Sequence, residues 1–289
     1  MWKNEFKRLF FKKQTLFIIL ILIVLGIISF IVSYNDRQLY IDTLNMGYED
    51  VNSDAMINLI NNYNGMKFNL DFYLTSDFFQ IFVIVLFLFC GIFLTSNLQN
   101  MIETGQENFI ISRIKYSSHL KEILKSQSLY IFSIVATSIT IISTIGFFIG
   151  GYGSGVAVIG NYSLNIWWTI IIVVFQIILL SLLLSLISAI CLMSNIIIKN
   201  KIVIQCLPFA LFMIAPMIIS STIGNLMPII GNITGYFVPF NLTSIVYWLL
   251  QYHFDMITIV CMIIPILFYI ILFKFLLYKN IKIFSEDCI

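Results

Sequence analysis

The sequence predicts an all-α integral membrane protein with six transmembrane helices, and three observations carry that prediction. Of 289 residues, 60% are hydrophobic and only 10% are charged, with a mean hydropathy of +0.98, whereas soluble domains carry roughly a quarter charged residues. A water-soluble core has no room for so much apolar surface, so the bilayer is the expected solvent. Apolar runs such as Leu16 to Ile31, interrupted only by Gly26 and Ser29, lack the polar–apolar alternation over about ten residues that barrel strands show. Helices are then what satisfies the backbone in lipid. Lastly, the charged residues gather between these runs and so delimit spans of about twenty residues.

The chain reads as a single transmembrane domain, 1–289. In residues 1–14, Trp2, Phe6, Leu9 and Phe10 recur at helical spacing while Lys3, Lys7 and Arg8 take other faces, the pattern of an amphipathic interfacial helix. The apolar run that follows is too long for a secretion signal and no small-residue cleavage site ends it. It is the first span, Thr15–Ser33. Residues 34–76 form an extracellular loop with enough apolar side chains (Ile41, Leu44, Met56, Ile57, Leu59, Ile60) for some packed structure. The second span is Phe78–Thr95. From Ser126 to Ile198 no residue is charged. That is too long for one crossing, and the cluster GGYGSG at Gly150 to Gly155 divides it into Ser128–Phe148 and Ile166–Leu192. A fifth span fits Val203–Ser221. Residues 222–252 are too apolar for an ordinary loop, yet Gly224, Pro228, Gly231, Gly235 and Pro239 break them, so a re-entrant or interfacial segment is expected. Met256–Tyr278 is the sixth span.

Lysine and arginine set the orientation. Five lie before the first span, four (Arg113, Lys115, Lys121, Lys125) between the second and third, Lys199 and Lys201 between the fourth and fifth, and Lys274, Lys279 and Lys282 at the C-terminal end. Only Arg37 and Lys67 fall on the other side, so the positive-inside rule predicts cytoplasmic termini. Seven acidic residues lie between Asp36 and Asp77, which makes the first outer loop a small acidic element.

Several kinds of chemistry are missing. No Asp, Glu, Lys or Arg occupies the centre of a span, although ion-coupled transporters bury titratable groups there. His119 and His253 fall in loops, and the HFD run at His253 to Asp255 has no partner nucleophile or second imidazole. Cys90, Cys191, Cys206, Cys261 and Cys288 lie in or beside apolar runs without paired spacing, and read as small apolar residues. No G-x-x-x-x-G-K-[ST] loop is present. Neither a catalytic residue, a metal site nor a cofactor is therefore expected in this chain, nor a nucleic-acid partner. Gln176 and Gln205 are the candidate polar groups along a translocation path; hydrogen bonding between helices is the other role open to them.

The segment 100–125 concentrates the remaining signal. Ile102, Phe109, Ile110 and Ile114 suit a short helix with one apolar face. Glu103 and Glu107 share a face at i, i+4, a pairing slightly unfavourable on its own that basic groups on another protein would relieve. Gly105 lets the chain bend, and Ser117 or Ser118 is placed to cap the helix leading into the third span. The layout resembles the membrane subunits of type-2 ABC exporters. These have six spans, a flat N-terminal helix, a glutamate two residues before a glycine after the second span, then an apolar-rich coupling helix and a lysine before the third span. Glu103, Gly105, Phe109 to Ile111 and Lys125 occupy those positions, while Ile114 stands near where the family often has proline.

The resemblance implies an export permease of the bacterial cytoplasmic membrane, pairing with a second permease subunit as a homodimer. Two copies of a separate ABC ATPase, carrying ATP and Mg, would dock on Glu103, Gly105, Glu107, Phe109, Ile110 and Arg113. The apolar, aromatic-rich interior suits an amphipathic or antimicrobial peptide or another toxic amphiphile, with lipid-linked polysaccharide the next choice. Two rivals stay open: a gradient-driven secondary transporter, and a non-transporting immunity or sensor subunit.

Overall fold

The computed structural model describes residues 2–46, 53–103, 116–151, 156–159, 162–194, 198, 200–210, 218 and 256–286. Nearly all of these are helical. The helices are α1 (Trp2–Phe10), α2 (Lys13–Asn45), α3 (Ser53–Asn62), α4 (Gly65–Leu74), α5 (Asp77–Glu103) and α6 (Tyr116–Gly150). A hairpin of β1 (Val156–Ile159) and β2 (Tyr162–Asn165) follows, then α7 (Ile166–Met193), α8 (Lys201–Phe209) and α9 (Met256–Glu286). Among the described residues, four helices are long and apolar enough to cross a membrane, namely α2, α6, α7 and Ile263–Lys282 of α9. They become five when α4 and α5, bent by 58° at their joint, count as one broken span. A multi-pass membrane protein follows from these lengths.

Helices α2 and α6 run parallel and in register. Thr15 bonds Tyr130, Gly26 faces Ile142 and Phe30 packs on Gly146, partners 115 or 116 residues apart in each case. With 33 and 35 residues, each is about 50 Å long at about 1.5 Å per residue, well beyond the roughly 30 Å of hydrocarbon. The excess falls at opposite ends: α6 projects below Thr15 at the N-terminal end, and α2 projects above Phe30 at the far end. Residues 34–45 contain neither glycine nor proline, so nothing stops α2 at the end of its apolar run, and the expected loop begins as three more helical turns. Tyr116 likewise already lies in α6. Ser117 and Ser118 are inside that helix rather than capping it, a correction to the sequence expectation.

Helix α6 is the centre of the bundle, packed against α1, α2, α4, α7 and α9. The apolar face of α1 turns to it: Leu9 is buried in the main core, with Phe6 and Phe10 against it. Thr15 holds this corner, its Oγ1 donating to Leu9 O at 2.8 Å and lying 2.9 Å from Tyr130 Oη. Interhelical polar contacts in membranes average about 0.6 kcal/mol and reach about 1.7. Thr15→Val should therefore cost about 1 kcal/mol and speed hydrogen exchange in α1 more than in α7, as read by mass spectrometry.

Asparagine supplies the helix starts. Asn64 accepts from Met66 N and Lys67 N, Asn165 from Trp168 N, and Asn200 from Ile202 N and Val203 N, each satisfying amides the first turn leaves without an acceptor. The α7 bounds match the expected fourth span to within one residue. The antiparallel hairpin between α6 and α7 amends the all-α expectation; its Ala157 and Leu164 close over Met66, Leu70 and Leu74 of α4. Among the described residues of the expected fifth span are the first turns, as α8, and the expected re-entrant segment 222–252 lies outside the described residues.

Candidate functional site

A polar cavity opens where α2, α4 and α5 meet at the far end, and the local sequence Thr75-Ser76-Asp77 builds it. The Asp71 carbonyl accepts from Thr75 N, Ser76 N and Thr75 Oγ1 at 3.0, 2.9 and 3.1 Å, which ends α4 sharply. Ser76 Oγ then accepts from Phe78 N at 3.2 Å, an N-cap for α5. The same hydroxyl lies 3.0 Å from Ser29 Oγ, tying the joint to α2. Two helical turns beyond Ser29, Asp36 reaches the rim. Helix α4 is held in place by its opposite face: Asn69 Nδ2 donates to Gly65 O and Ser143 O, and Tyr73 Oη lies 2.6 Å from Ser143 Oγ.

The cavity measures about 480 Å³ and is lined by Asp36, Asp71, Asp77, Lys67, Tyr63 and Phe78 among others. Lys67 Nζ sits 2.9 Å from Asp71 Oδ1. Asp36 and Asp77 make no salt bridge among the described residues, which leaves an excess of negative charge. Tyr63 senses it. Burial, with Tyr40 against it and Asp71 and Asp36 nearby, pushes its phenol up to about 12, so the hydroxyl stays protonated and the cavity gains no further negative charge. The arrangement offers carboxylates, hydroxyls and two aromatic walls. It does not offer a metal centre: among the described residues no three His, Cys, Asp or Glu side chains converge to hold an ion.

Those residues singled out in the sequence that the structure describes do not line the cavity. Glu103 is the last residue of α5; Gly105, Glu107, Phe109, Ile110 and Arg113 fall outside the described residues. Gln176 is buried in α7 and Gln205 half-buried in α8, a helix packed on α5 and α7, and neither lines the cavity. Sequence reasoning saw the acidic character of residues 36–77 but not the cavity, because the α4–α5 bend that brings Asp71 and Asp77 to Asp36 is a tertiary feature. No known protein-family model matches the chain, and neither does any curated protein or solved structure.

Proposed function

We propose that this chain is the permease subunit of an ATP-driven exporter of the bacterial cell membrane. In this reading it has six spans and cytoplasmic termini, pairs with a second copy, and is driven by two separate ATPase subunits docked on Glu103, Gly105, Glu107, Phe109, Ile110 and Arg113. The observation that carries the reading is the packing of α6 against five other helices. Segment 104–115 joins α5 to α6 along the chain, so a partner docked on it would act on the helix on which the bundle is built, which is what a coupling element requires.

Two further features support it. The basic residues Lys3, Lys7, Lys121 and Lys282 sit on α1, the first turns of α6 and the last turns of α9. These meet at one end of the bundle through Thr15–Tyr130 and through Asn280, which donates to Met193 O at 2.8 Å. The acidic cavity is at the other end, the distribution expected of a chain with its lysines inside. The C-terminal ends of α7 and α9 also lie at the lysine end. The cargo in this reading is an amphipathic peptide or other toxic amphiphile.

Affinity purification of the tagged full chain from cells that express it natively should recover a stoichiometric protein with a phosphate-binding loop. Charge reversal of Glu103 and Glu107 should lower that recovery about tenfold, the scale of interface charge contacts. Amphiphile export by vesicles that persisted without nucleotide would sink the reading.

A further inference from the structure

We propose that the cavity between α2, α4 and α5 binds the cationic head of an amphiphile, an ammonium or guanidinium group carried on an apolar tail. Its volume of about 480 Å³ falls in the range of about 300–1,000 Å³ typical of small-ligand sites. The lining already holds one alkylammonium, that of Lys67 on Asp71. Asp36 and Asp77, on α2 and at the start of α5, remain for a second cation, and among the described residues they form no group of three that could hold a metal ion. An organic cation does not need converging ligands and suits carboxylates carried on different helices. Tyr63 and Phe78 also line the cavity, and aromatic rings attract cations through their quadrupole.

The tail has a place too. Val32 lines the cavity, and Ile28, one turn along the same face of α2, is also exposed at the bundle surface. An alkyl chain leaving the cavity therefore passes onto apolar surface of the kind that faces lipid. An anionic head meets uncompensated carboxylates, and a small amine without a tail forgoes the apolar contact. The cavity thus selects for both parts of the ligand at once. This site stands apart from the permease reading, since binding needs no ATPase.

The test is calorimetric titration of decylamine into the full chain held in dodecyl maltoside micelles, which carry no cationic head, with empty micelles correcting for partition. Wild type should show saturable binding of decylamine, and only partition-like heats with decyl sulfate or butylamine. The double variant Asp36→Asn, Asp77→Asn changes two exposed side chains and should melt like wild type. It should bind decylamine about tenfold more weakly or worse, the loss expected for contacts to charged groups. Decylamine affinity within about twofold of wild type in that variant, or equal saturable binding of decyl sulfate, overturns the proposal. Micelles that include phosphatidylethanolamine separate the sources: competition assigns the site to a lipid amine, and unchanged affinity assigns it to a non-lipid amphiphile. Binding without a recoverable ATPase would remove the permease reading alone, and an ATPase without binding would remove the cavity alone.

Discussion

Substituting Gly150 with leucine is expected to drive α4 away from α6 and to cost about 3 kcal/mol or more, the upper range for overpacking. A Cβ at Gly150 would stand 2.6 Å from Gly65 Cα and 2.7 Å from the Asn64 carbonyl carbon, and one at Gly65 would stand 2.7 Å from Phe147 Cα. These neighbours are backbone, so no rotamer change relieves the clash. The contact is close enough for Gly65 N to donate to Gly151 O at 2.8 Å. Gly146 lies one turn below, where a Cβ would meet Phe30 Cζ and Asn69 Nδ2. Glycines four apart on an apolar helix commonly mark a helix-pairing face. Here α4 of the same chain occupies that face, so a dimer of chains has to use another surface. Gly151 is the control. Its φ of +66° suits glycine, but nothing lies within 4 Å of its missing Cβ, so Gly151→Ala should cost only about 1–2 kcal/mol. Apparent melting temperatures of the purified variants in detergent check the order, and a Gly150→Leu protein that melts with wild type would refute the packing argument.

Phe72→Ala should be comparably damaging, at about 3 kcal/mol or more within the span usual for truncating a buried Phe. The Phe72 ring is fully buried and has four aromatic neighbours, Phe30, Tyr73, Phe79 and Phe82, at centroid distances of 5.0–6.0 Å. Lipid tails are as apolar as these rings, so the loss comes from packing and the cavity left behind rather than from transfer to water. Because Phe72 follows Asp71 and braces the α4–α5 joint, decylamine affinity should fall along with the melting temperature. Phe72→Leu fills much of the space and should recover more than half of both losses. Equal damage from the two substitutions would point to a role other than volume.

Much of the architecture was legible because it depends on local composition. The unbroken apolar runs fixed α2, α6, α7 and α9, and the run that opens at Ile166 marked the start of α7. Helix ends were less legible. Nothing between Tyr34 and Asn45 breaks a helix, so α2 continues three turns past its apolar run, and no sequence rule for span length detects that. The cavity was legible only as an excess of aspartate, since Asp36 and Asp71 are far apart along the chain.

What the sequence determined by itself is the solvent: with so few charges and such long apolar stretches, the chain can satisfy its backbone only as membrane helices. What only the tertiary structure decided is how the elements meet. Three such meetings are the docking of α1 on α6, the glycine contact that brings α4 against it, and the bend that gathers Asp36, Asp71 and Asp77. Burial in lipid is a property of each segment and can be read segment by segment, whereas close backbone approach and converging charge depend on partners distant in the chain, which local pattern does not encode.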